Sequence, residues 1–164
     1  MPVLTPSLED YLKAILILER QRGAARPADI ARVVRVGRPS VSLALKRLKG
    51  KGMISHNAYG DATLTPEGNK AAKSVLFRHE ALSVFFVNVL GVPKDQANEN
   101  AHRLEHAIDD TVLERLVAFT NTLVERHGPL EGPQGFCKEE AQHYDLYDTS
   151  CSSPHEDATQ EPLG

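Results

Sequence analysis

Leu8, Tyr11, Leu12, Ile15 and Leu18 recur three and four positions apart, so they share one face of an amphipathic helix that Ser7 caps and Gly23 stops. A shorter helix is predicted from Pro27 through Ile30, Ala31 and Val34 to a turn at Val36-Gly37. A third runs from Pro39, turns Val41, Ala44, Leu45 and Leu48 inward, and ends at Gly50 and Gly52. Met53 to His56 and Ala62 to Thr65 then read as two short strands around Asn57-Ala58-Tyr59-Gly60-Asp61, a hairpin. Two helices joined by a Gly-containing turn and followed by a hairpin predict a winged helix-turn-helix. Beyond it the period stays helical. Thr65 caps a long helix with Pro66 in its first turn that carries Ala72, Val75, Leu76, Leu82, Phe85, Phe86 and Val89 to Gly91. Further helices are predicted over 95–107 and 110–127.

The predicted fold class is mainly α: a winged helix-turn-helix over 1–72, an all-helical domain over 73–128 and a polar tail over 129–164. The tail's Gly, Pro, Glu, Gln, Asp and Ser hold too few large apolar residues for a packed element. No run of 18 uncharged apolar residues occurs and the N-terminus lacks a basic, apolar signal pattern, so a cytoplasmic protein is expected. Cys137 and Cys151, both in the tail, do not make a disulfide framework. The net charge of −3 hides two fields. Residues 1–78 hold 14 Lys and Arg against 6 Asp and Glu, a net +8, whereas residues 79–164 hold 5 against 16, a net −11.

The positive field is centred on the helix-turn-helix, where Arg26, Arg32, Arg35, Arg38, Lys46, Arg47, Lys49 and Lys51 face only Asp29. Cations on such a motif suit the phosphates of duplex DNA. Arg38, Pro39, Ser40 and Ser42, at the exposed start of the third helix, are the candidates for reading base edges in the major groove. Arg26, Lys46, Arg47 and the hairpin's Tyr59 complete the candidate interface. The plainer alternative is a solvated basic face on a protein-interaction domain.

In the acidic half the densest chemistry is His102-Arg103-Leu104-Glu105-His106. Histidines four apart on a helix present two imidazoles to one ion, with the Glu105 carboxylate close by. His79 on the long helix and Asp10 on the first are further candidates. Asp10 is alternatively an imperfect capping-box partner of Ser7, and His79 a packed or surface histidine. The same run spells H-x-x-E-H, the zinc-peptidase pattern, but it stands in a short chain behind a basic winged helix, so no enzyme is expected. The other alternative is a winged-helix regulator that senses no metal.

Five motifs in order give the chain a family resemblance. Pro6-Ser7-Leu8-Glu9-Asp10-Tyr11-Leu12, Pro39-Ser40-Val41-Ser42, Leu64-Thr65-Pro66-Glu67-Gly68, Arg78-His79-Glu80, and Arg103-Leu104-Glu105-His106 with Asp109-Asp110 resemble the diphtheria-toxin-repressor family of metal-dependent regulators. The likeness spans about residues 4–127 and is nearest to the shorter, manganese-repressor-like members without an SH3-like domain. It implies a homodimer that binds a palindromic DNA operator, with divalent metal as co-repressor and the second half as the metal-binding and dimerisation domain. It also implies metal ligands at Asp10, His79, His102, Glu105 and His106. Three departures bear on the metal: His102 stands where relatives carry Cys or Glu, Lys13 replaces a carboxylate of manganese-type members, and Ser83 and Asn98 replace Glu and His of iron-type members. The mixed oxygen and nitrogen set suits Mn2+ or Fe2+ and also admits Zn2+; imidazole and the nearby Lys13 charge tilt the expectation toward iron.

Overall fold

The computed structural model describes residues 4–56 and 60–127. The hairpin tip with Tyr59, the tail and both cysteines lie outside the described residues. Among the described residues, six α-helices and one two-stranded sheet make the fold mainly α, as the hydrophobic pattern predicts.

Helix α1 (Pro6–Arg22) is capped by Thr5, whose Oγ1 accepts from the Leu8 N–H, with Pro6 in the first turn. Thr5 thus takes the capping role predicted for Ser7, because Pro6 needs no backbone partner and fits inside the first turn. Gly23 closes the helix at φ 69°, the left-handed geometry that glycine adopts without strain. Every side chain from Tyr11 to Leu18 is buried. The helix is covered on all sides because it packs against both the helix-turn-helix and the long helix that follows the wing. The apolar stripe predicts one buried face only; the second cover explains why Lys13 is buried as well.

Helices α2 (Pro27–Val34) and α3 (Arg38–Gly50) pack with α1 around Leu12, Ile15, Ile30, Val41, Leu45 and Leu48. Strands β1 (Ile54–His56) and β2 (Ala62–Leu64) pair antiparallel with Ile54 opposite Leu64, and Ala62 also bridges to Ala25. Two side chains fix this hairpin to the helices: Glu19 accepts the Leu64 N–H at 3.0 Å, and the Lys49 ammonium donates to the His56 carbonyl at 2.7 Å.

Thr65 joins the wing to α4 (Pro66–Val84). Its Oγ1 accepts the Gly68 N–H at 3.1 Å while its hydroxyl faces the Gly52 and Met53 carbonyls at 2.7 and 3.0 Å. The expected helix to Gly91 ends as regular α-helix at Val84. One widened π turn, Phe85–Val89, carries the chain to Gly91, which sits at φ 65°. Helices α5 (Lys94–Leu104) and α6 (Asp110–His127) complete the second half, with Arg78 of α4 donating to Asp110 of α6 at 2.8 Å.

Gly68 is held by space rather than by φ. A Cβ there would overlap the Met53 backbone carbonyl, which the hairpin and Thr65 keep in place. Gly68→Ala is expected to destabilise the chain by roughly 1–3 kcal/mol, the range typical of overpacking; an unchanged urea midpoint would contradict this close approach.

Candidate metal centre

Helix α1 brings carboxylates to two histidines that do not share a helix: the expected helix over 95–107 ends at Leu104, so only His102 lies on α5. Asp10 lies near the start of α1, His102 lies in the last turn of α5, and Glu105 and His106 follow as α5 ends. One donor atom from each of Asp10, His102, Glu105 and His106 falls within 4.8 Å of the other three. His106 Nε2 is 3.0 Å from Asp10 Oδ1 and 3.3 Å from Glu105 Oε1, and His102 Nδ1 is 3.0 Å from Glu105 Oε1 and 3.7 Å from Asp10 Oδ1. Two carboxylates and two imidazoles aimed at a common point are a donor set for a borderline divalent cation.

Glu105 is fully buried, with 0% of its side chain exposed. Burial pushes its carboxyl up, but hydrogen bonds with His102 and His79 and the Lys13 ammonium outweigh that and hold it well below the usual carboxylate range. His79, also buried, meets the other oxygen, with Nδ1 2.7 Å from Oε2. It therefore stands behind Glu105 and outside the group of four, although sequence places it in one set with them. Its Nε2 is buried and lacks a hydrogen-bond partner among the described residues, an orphan atom of the kind a cation or ordered water satisfies.

Glu9 is absent from the sequence-predicted set. Its Oε2 lies 2.7 Å from His106 Nδ1, leaving His106 Nε2 to face Asp10. A carboxylate on the far nitrogen of a ligating histidine fixes its tautomer and ring orientation. The signal for it is slight, an acid beside Asp10 whose value appears only when the turn after α5 meets the start of α1. Lys13, which the sequence marks as a departure and as a nearby positive charge, contacts the same cluster through an ion pair with Glu105 Oε1.

The candidate DNA face behaves separately. Arg26, Arg38, Pro39, Ser40, Ser42, Lys46 and Arg47 are all exposed, the last six along the outer side of α3 with Leu43 among them. Asp29 engages Arg22 and Arg32 at 3.3 and 3.1 Å, so part of the helix-turn-helix charge is balanced beside that face. Among the described residues, no helix is long and apolar enough to cross a membrane.

Residues 3–62 match the N-terminal DNA-binding domain model of iron-dependent repressors, and residues 65–129 match the metal-binding and dimerisation domain model. The chain is 32% identical to an uncharacterised HTH-type transcriptional regulator of Methanocaldococcus jannaschii, over 71% of this chain and 94% of that one. It is also 32% identical to the HTH-type transcriptional regulator MntR of Bacillus pumilus, over 79% and 92%. Among solved structures, the manganese regulator SloR superposes with a TM-score of 0.64 at 33% identity, over 72% of this chain and 55% of that one. The IdeR of T. acidophilum superposes with a TM-score of 0.62 at 28% identity, over 84% and 64%. The chain thus spans about half to two thirds of these solved structures.

Two outcomes follow from the geometry. Glu9→Ala is expected to lower Mn2+ affinity about 10–100-fold, the usual cost of losing such an orienting partner; an unchanged calorimetric Kd would remove Glu9 from the centre. His102 is raised above the ordinary 6.5, first by its hydrogen bond to Glu105, with burial and Lys13 opposing and the Asp10 and Glu105 charges assisting. Protonated His102 paired with Glu105 therefore stabilises the metal-stripped chain below pH 6.5, and this contribution fades as pH rises through the raised value. A ligating imidazole must be neutral, so Mn2+ affinity is expected to rise with pH across that window; titrations at several pH values check it, and His102→Ala should flatten the dependence.

Proposed function

Because the chain belongs to the family of iron-dependent repressors, we propose that Asp10, His102, Glu105 and His106, with His79 behind Glu105, are the centre through which Mn2+ or Fe2+ controls DNA binding. The chain is a metal-dependent transcriptional repressor. The observation that carries the site assignment is that a ligand on α1, the helix at the core of the DNA-reading part, converges with three from the α5 segment.

Asp10 shares its helix with Leu12, Ile15 and Leu18 of the winged-helix core, so its position fixes that of α3. His102, Glu105 and His106 belong to the segment that packs on α4 and its π turn. A bound divalent ion would supply a positive charge that draws the two carboxylates and two imidazoles onto one point. Glu9 orients His106, and His79 and Lys13 orient Glu105. Thermodynamic linkage then requires metal and operator to tighten one another, typically by about 1–3 kcal/mol.

The partners proposed are a second copy of the chain and a palindromic DNA operator. Exposed Phe77, Leu90, Leu104, Val112 and Phe119 in the helical half supply apolar surface for pairing. A dimer seats both recognition helices only when they stand one helical turn of DNA apart, roughly 34 Å, or a multiple of it. Arg38, Pro39, Ser40 and Ser42 read bases in this proposal, while Arg26, Lys46 and Arg47 contact phosphate, with Tyr59 at the wing. The domain limits proposed are 1–72 for DNA reading and 73–128 for metal binding and dimerisation. A peptidase role has no support in a family of transcriptional regulators. The Glu105 carboxylate is also buried with both oxygens engaged, so it is not placed to activate a water.

Fluorescence anisotropy with DNA upstream of the chain's own gene, in Mn2+, in anaerobic Fe2+ and in chelator, tests the reading. Metal is expected to tighten binding, and equal affinity under all three conditions would favour a regulator that senses no metal. Glu105→Ala or His106→Ala should abolish the metal response yet keep weak, salt-sensitive binding. Arg38→Ala should lose about 1–3 kcal/mol of specific binding with metal affinity in the absence of DNA retained; unchanged operator preference would remove it from the recognition face.

A further inference from the structure

One charged group at the centre has no part in the ligand set. Lys13 follows Asp10 by three positions and Glu9 by four, so all three share one side of α1. Lys13 is 2% exposed and is among the largest fully buried side chains of the chain. Its Nζ pairs with Glu105 Oε1 and lies 3.5 Å from His102 Nδ1. The Glu105 oxygen that faces His102 and His106 is therefore also the one that holds the ammonium, while His79 takes the other.

We propose that Lys13 is a resident cation of the metal centre: its ammonium shares Glu105 Oε1 with the bound ion, limits the centre to one divalent ion per chain, and sets the affinity for that ion lower than the same ligands would have alone. The inference rests on the ligand assignment proposed above. Glu9, Asp10 and Glu105 bring three negative charges to the cluster, and Lys13 reduces them to the two that one divalent ion neutralises. A second ion would have to enter a centre already balanced, beside a fixed positive charge and in surroundings of low dielectric, where like charges repel strongly. The same ammonium is a positioning group. Pairing a buried carboxylate across α1 and α5 orients Oε1 toward Asp10, and it avoids the cost of leaving Glu105 without a counter-charge.

Mn2+ titration calorimetry on the full chain, stripped with chelator and desalted, tests this alongside thermal melting. The wild type and Lys13→Arg are expected to bind one ion per chain with similar affinity. Lys13→Met, of similar length but uncharged, should bind Mn2+ at least ~10-fold tighter, because the repelling charge is gone. Its melting temperature should fall without metal, and Mn2+ should raise it by more than it raises the wild type's. A merely structural lysine would lower the melting temperature equally in both conditions. Two ions bound per wild-type chain, or a Lys13→Met variant with unchanged or weaker affinity and the same Mn2+-induced rise, would overturn the proposal. If Lys13→Met does not fold with or without Mn2+, Lys13→Gln is read in the same way. Failure of the wild type to bind Mn2+ or Fe2+, or normal binding by His106→Ala, overturns the ligand assignment and the role of Lys13 with it; loss in His106→Ala without tightening in Lys13→Met overturns the role of Lys13 alone.

Discussion

A carboxylate with no access to water organises this molecule. Glu105 is surrounded by groups from three helices: Lys13 of α1, His79 of α4 and His102 of α5. A buried charge is tolerable only when it is paired and hydrogen-bonded. Every element that supplies a partner is therefore constrained to stay near the others, and the junction between the DNA-reading half and the helical half forms around that requirement. Glu9 and Asp10 extend the constraint to His106, so the turn after α5 cannot shift without disturbing the start of α1.

This arrangement gives the charge split of the chain a physical sense. The basic half is built on α1, yet α1 also carries Glu9 and Asp10, acids that serve the other half. The acidic half contributes imidazoles as well as carboxylates, so the cluster is mixed in donor type, a chemistry that suits cations of intermediate softness. With the proposed ligands, coupling between DNA and metal needs no relay of many residues, because one helix belongs to both the winged-helix core and the cluster.

Most of the fold was legible in the sequence because it depends on local signals. Helical periodicity, Pro at first turns, glycine stops and the paired short strands located all six helices and the wing, and the family motifs brought Asp10 together with His102, Glu105 and His106. What could not be read depends on the second cover over α1. An apolar stripe identifies one buried face, so nothing local announced that Lys13 faces inward or that Glu9 meets His106 from the neighbouring helix. The position of His79 behind Glu105 is likewise decided by which carboxylate oxygen it reaches, a detail of packing. The cap moved from Ser7 to Thr5 because two hydroxyl residues flank Pro6 and the proline favours the earlier one. The π turn after Val84 has no signal that we recognise in Phe85-Phe86-Val87-Asn88-Val89.

The threonine junction between wing and α4 has a mechanical consequence. Helix α4 is anchored through Thr65 to the Gly52 and Met53 carbonyls and passes the buried carboxylate at His79, fourteen residues further on, a span of about 20 Å at the usual helical rise. It is a lever with its short arm in the core. A tilt of about 10° at the histidine sweeps the wing through ~3.5 Å, close to the rise of one base pair. Because Glu19 and Lys49 tie the wing to α1 and α3, such a displacement carries the DNA-reading part with it as a unit.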